Sequence, residues 1–126
     1  MATADAGAAN ASSTVHNGRV AAHVTSVPAP QHVARKLLPS FGWKRRQFKY
    51  LNWLWEKESS WNASAQNPSS GAYGIPQAVP GSKMATAGPG WQTSARTQIR
   101  WGLGYIRAVY GSPRHAWLHW VADGWY

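Results

Sequence analysis

Two glutamates, Glu56 and Glu58 in the stretch Glu56-Lys57-Glu58-Ser59, are the residues in this sequence best suited to proton chemistry. The chain has 126 residues but only 4 acidic side chains, against 13 Lys and Arg. A carboxyl group that holds a proton near neutral pH can act as a general acid, and once ionised as a general base. On a helix turning roughly 100° per residue, Phe48, Leu51, Leu54 and Trp55 fall within an arc of about 120°. Glu58 lies inside that arc. Glu56 lies well outside it, sharing a sector with Arg45, Lys49 and Asn52, and reads as a surface charge. A carboxylate on an apolar face is costly unless it is paired, neutralised or used. Spacing alone leaves Glu58 open between a working acid and a residue that pairs with an arginine or turns outward at a frayed helix end.

The segment after Glu58 bears on that choice. Ser59 follows directly, then Trp61, and then the run Gly71-Ala72-Tyr73-Gly74-Ile75-Pro76-Gln77. Two glycines around one aromatic permit a tight backbone path that can approach a ligand, and the Gln77 amide offers a donor and an acceptor. Sugars are held by this mixture of aromatic faces and polar rims. Trp61, Trp117 and Trp120 are candidate stacking platforms, although each is individually more often core than groove. His115 and His119 stand one helical turn apart, a spacing that can bind a metal. No acid or thiol partner accompanies them, so exposed helix histidines are the better reading and neither metal nor cofactor is expected.

These residues need elements to position them. Residues 1–30 are rich in Ala, Ser and Thr with no large side chain that could anchor a core, and read as a disordered tail closed by Pro28-Ala29-Pro30. The working domain is expected over 31–126. In it, residues 31–38 suggest a short helix, 44–59 a helix carrying the glutamates, and 59–82 a long loop or short hairpin. Residues 82–87 suggest a single helical turn. From Ser94, a helix places Ile99, Leu103, Ile106 and Tyr110 on one stripe and can end at Gly111. Ser112-Pro113 then opens a last helix that ends at Gly124. The expected fold is mainly α, a small helical domain with one long loop.

Composition bounds the function further. A formal net charge of +9 points to a polyanionic partner. The absence of cysteine removes disulfides, thiol catalysis and thiolate metal sites. No apolar run approaches the roughly 20 residues of a membrane span. The first residues carry no basic start followed by an apolar stretch, so no signal peptide is visible. Nucleic-acid binding ranks low, because Lys and Arg are dispersed and no recognition motif is present.

Together, Glu58-Ser59, the Trp/Asn-containing spacer and Gly71-Ala72-Tyr73-Gly74-Ile75-Pro76-Gln77 resemble the Glu-Ser and Gly-Leu-Met-Gln motifs of soluble lytic transglycosylase domains, members of the lysozyme-like superfamily. The stretch from about Ala34 to Tyr126 is similar to actinobacterial secreted domains of this group, through wording such as NPSSGAYGIPQ, PGSKMA, WQT, TQIRWGLGYI and a terminal WY. The resemblance implies an α+β lysozyme-like fold with Glu58 as the catalytic acid/base. It implies that Ser59 supports Glu58, that Gly74 and Gln77 line the sugar groove with Tyr73, and that Tyr105 faces the catalytic site. Trp61 and Trp117 join them as expected substrate-binding residues. Two features depart from the family. Its Ala-Tyr-Asn motif has only Ala116-Trp117-Leu118 as a counterpart, and a cysteine pair common in relatives is replaced by Tyr50 and Arg114.

The resemblance implies cleavage of the N-acetylmuramic acid–N-acetylglucosamine bond of peptidoglycan. One Glu protonates the glycosidic oxygen and then serves as base for the muramic 6-hydroxyl, which closes on C1 as a 1,6-anhydro product. Most glycosidases need two carboxylates. Beyond Glu58, the domain offers only Glu56, which should point away, and Asp123 near the C-terminus, so a one-carboxylate reaction suits the sequence. A hydrolytic muramidase and a non-catalytic wall-binding module of the same fold are the alternatives. Expected partners are peptidoglycan glycan strands and anionic wall polymers, with no nucleic acid and no membrane span. The protein is expected to be a monomer, secreted or wall-associated.

Overall fold

A computed structural model describes residues 28–126. Most of the expected tail, positions 1–27, lies outside the described residues. Pro30, read above as part of a stiff linker, instead opens the first helix, α1 (Pro30–Leu37). A fixed φ and a missing N–H cost nothing in a first helical turn, which explains the difference. The chain tightens into a 3-10 turn over Leu38–Phe41, and Gly42 reverses it at φ 86°. A second 3-10 turn, Arg45–Gln47, leads into α2 (Phe48–Ser59). The glutamate helix thus begins four residues later than the sequence suggests, because Lys44 is extended.

α2 buries the stripe that its spacing predicts: Leu51, Leu54 and Trp55 are fully inaccessible. Burying an aromatic side chain of this size contributes roughly 2–3 kcal/mol. The helix stops at Ser60 and Trp61, two consecutive non-glycine residues in left-handed conformation, at φ 52° and 59°. Such a conformation costs about 1–2 kcal/mol per residue. Two interactions of Trp61 offset it: the ring packs edge-on against Trp55 at 5.2 Å, and its Nε1 donates to Asn52 at 3.0 Å.

Residues 60–80 form a loop pinned by local bonds. Asn67 Oδ1 accepts from the backbone N–H of Ser69 and Ser70, an Asx turn. Tyr73 and Ala78 exchange two backbone hydrogen bonds of 3.0 Å, and Tyr73 also bridges to Gln66. These bridges are isolated, and no strand forms among the described residues. A 3-10 helix over Gly81–Ala87 follows, longer than the single turn expected.

α3 (Ala95–Val109) is capped by Ser94, whose side chain accepts from the Thr97 N–H, and buries Ile99, Leu103 and Ile106. α4 (Pro113–Asp123) has the expected Ser112 cap and ends at left-handed Gly124. α2 packs on α4, and α1 packs on α3. Gly102 permits a close approach to α2: a Cβ there would sit 2.5 Å from Trp55 Cζ2. The last residue, Tyr126, is fully buried in the same core. The domain is therefore small and mainly helical, as its periodicities indicate. Among the described residues, no helix is long and apolar enough to cross a membrane.

Candidate active site

Glu58 sits in the last turn of α2, just before the left-handed reversal at Ser60. Its side chain is 0% exposed, whereas Glu56 is exposed, so the helical wheel separates the two glutamates correctly. From α4, Trp120 Nε1 donates a 2.9 Å hydrogen bond to Glu58 Oε2. Trp120 lies nearly parallel to Trp117, with interplanar angle 3° and centroids 5.6 Å apart, and Trp117 meets Trp53 at 5.7 Å. A ribbon of three indoles thus runs over the α2–α4 seam and ends on the buried carboxylate. A shallow recess of about 370 Å³ opens at the Trp53–Trp117 end of the ribbon, lined also by Glu56 and Lys57.

Tyr126 lies near enough to Glu58 to feel its charge. Its hydroxyl accepts from Trp55 Nε1 at 2.9 Å and donates to the Pro76 carbonyl at 2.8 Å, tying α2 to the loop. Complete burial, reinforced by the Glu58 charge, raises its phenol well above the ordinary tyrosine range. Ser59 adds a second tie, donating from Oγ to the Ile75 carbonyl at 2.8 Å. Its hydroxyl fixes where the loop lies and does not point at open solvent.

The remaining expected site residues divide. Tyr73 is half-buried and donates from its hydroxyl to the Gln92 carbonyl at 2.7 Å, with its ring edge-on to Trp91. Gly74 is buried at φ 80°, and a Cβ on it would fall 2.6 Å from Gln98 Oε1. Gln77 is 0% exposed, and its Nε2 donates to the Ala65 and Gly74 carbonyls. Trp61 is 4% exposed, so the expectation that it offers a face to a ligand is corrected: its ring fills the core. Trp117 and Tyr105 are partly open. Tyr105 stacks on Trp101 at 5.3 Å and stands edge-on to Tyr126 at 5.6 Å, so it reaches the Glu58 neighbourhood through that ring. With Lys83, Trp101, Tyr110, His119 and Trp125, it lines an aromatic recess of about 590 Å³.

No family model, curated protein or solved structure matches this chain.

Two residues escaped the sequence reading. Gln98 is wholly buried on α3, where Oε1 accepts from the Ile75 N–H at 2.9 Å and Nε2 donates to the Ala63 and Trp91 carbonyls. It is the clamp that holds the loop, and the small Gly102 one turn along the same helix was the available signal. Tyr126 entered only through the terminal Trp-Tyr of the resemblance, and nothing in the pattern ties it to α2. The histidines do not converge. His115 Nδ1 rests on Ser112 Oγ, while His119 bridges Asp123 Oδ2 and the Trp125 carbonyl. No group of three metal-ligating side chains occurs among the described residues.

Chemically, the site offers one carboxylate with a directional N–H donor, excluded from solvent and flanked by flat aromatic faces. Asp123 is half-exposed and engaged by His119, and Glu56 is exposed on the rim of the recess beside Trp53 and Trp117. A proton donor-acceptor of one carboxyl group is what this arrangement can supply.

Proposed function

We propose that the protein is a peptidoglycan lytic transglycosylase in which Glu58 is the acid/base. The observation that carries this reading is the buried Glu58 carboxylate at the end of α2, held by Trp120 at 2.9 Å and approached by a ribbon of indoles. Indole faces suit the apolar faces of pyranose rings. The motif resemblance around Glu58-Ser59 and Gly74–Gln77 supports the substrate class. Glu58 protonates the glycosidic oxygen and takes the proton of the muramic 6-hydroxyl as the anhydro ring closes, so the substrate supplies the nucleophile. A second carboxylate is not required, in keeping with the positions of Glu56 and Asp123. Since Glu58 is covered, substrate reaches it only when Trp120 yields its hydrogen bond.

That cover also favours a second reading, a wall-binding domain of the same architecture with little turnover. Digestion of purified cell walls followed by mass spectrometry separates the two. Anhydro-muramic ends support the transglycosylase, reducing ends make the protein a hydrolase, and wall binding without release supports the binding module.

A further inference from the structure

The charge of this chain is unevenly distributed. Arg35, Lys36, Lys44, Arg45, Arg46 and Lys49 are six of its 13 Lys and Arg, and no acid occurs between residues 28 and 55. The fold gathers part of this set into a concavity. His32, Arg35, Lys36 and Arg45 line a recess of about 320 Å³ whose apolar wall is Leu38 and Pro39. α1 brings His32, Arg35 and Lys36 to it, and the 3-10 turn after Gly42 brings Arg45.

No carboxylate lines the recess, and the His119–Asp123 ion pair lies elsewhere, on α4. Cations concentrated in a concavity without counter-ions leave a local positive potential that screening by solvent only partly removes. Arg35 is moreover held in place, with its guanidinium 4.2 Å from the centroid of the Phe48 ring. A guanidinium presents paired N–H donors that match phosphate oxygens, and a fixed one loses less entropy on binding.

We propose that this recess is a binding site for the phosphate groups of a polyol-phosphate chain, and that it anchors the protein to such a polymer independently of what Glu58 does. The lining selects among polyanions. Single-stranded nucleic acid binds through base stacking on open aromatic faces beside the cations. Here the recess has no Phe, Tyr or Trp in its lining, and the Phe48 ring carries Arg35 on its face. A chain without bases loses nothing at such a surface.

The test uses the full chain, a glycerol-phosphate oligomer, inorganic phosphate and duplex DNA, with calorimetry and amide chemical shifts as readouts. Lys36→Gln/Arg45→Gln removes two exposed cations of the recess, and Arg96→Gln/Arg100→Gln removes two exposed cations of α3 as a charge-matched control. Losing two phosphate contacts should weaken oligomer binding about tenfold or more and flatten its salt dependence, against about twofold or less in the control. Inorganic phosphate should shift the amides of residues 32–36 and 45. Equal weakening in both variants would reduce the effect to diffuse charge and overturn the site. So would phosphate shifts elsewhere only, or duplex DNA binding as tightly as the oligomer at the same salt. Unchanged melting temperatures show that both variants are folded.

Discussion

Trp120 Nε1 donates a 2.9 Å hydrogen bond to Glu58 Oε2 across 62 residues of chain. The contact joins the last turn of α2 to α4 and covers the one carboxylate of the domain that is buried. It makes Trp120 a support for Glu58 and, on the proposed function, a group whose hydrogen bond the substrate displaces.

Replacing Trp120 with Phe keeps an aromatic ring against Trp117 but removes the N–H. Losing one buried hydrogen bond costs about 0.5–1.5 kcal/mol. Urea unfolding of Trp120→Phe should show a loss in that range; a loss below a few tenths would mean that the bond does not persist in solution.

On the proposed function, Glu58→Gln removes the proton that the reaction needs, and anhydro-muramic product should fall by about a hundredfold or more. Glu56→Gln and Asp123→Asn should leave the product yield within about twofold, since surface charges away from the reacting bond contribute little. Strong loss in Asp123→Asn would point to two-carboxylate hydrolysis. Its stability effect should stay below about 1 kcal/mol, because the His119 pair is half-exposed.

Gly74→Ala forces a side chain into a left-handed site and onto Gln98 Oε1, 2.6 Å away. Conformational strain of about 1–2 kcal/mol and overpacking of about 1–3 kcal/mol act together, so a loss of about 2–5 kcal/mol is expected. Gln98→Ala leaves the Ile75 N–H and two carbonyls without their partner and should cost about 3 kcal/mol. Hydrogen exchange at Ile75 should accelerate in both variants.

Tyr126 links stability to alkaline pH. Burial first, and the Glu58 charge second, raise its phenol above the ordinary value. Tyr110 is raised too, by burial and then by Tyr105. The folded state therefore favours the neutral phenol, and its contribution is complete below the unfolded tyrosine value, about 10. It is lost as pH climbs from there toward the higher folded value. Melting temperature should be insensitive to these groups from pH 7 to 9 and fall above pH 10. Tyr126→Phe should show a shallower alkaline fall, after a loss of about 1–3 kcal/mol at neutral pH from the Trp55 and Pro76 bonds.

Much of this protein follows from local pattern. The stripe of Leu51, Leu54 and Trp55 determines which face of α2 is buried, and so tells Glu58 from Glu56. Ser94, Ser112-Pro113, Gly111 and Gly124 mark the helix ends, because caps and left-handed stops depend on neighbours within one turn. The tertiary structure decided the rest. Trp61 looked like a sugar platform and became core, since two left-handed residues fold it back onto Trp55. Ser59, expected to support Glu58, and Gln77, expected at the groove, are buried and bond to loop carbonyls. Gln98 and Tyr126 hold the loop and α2 through contacts 23 to 71 residues apart in sequence, which no spacing rule reaches. Periodicity carries information over one or two turns of chain, whereas a buried polar group takes whichever partner the packing brings to it.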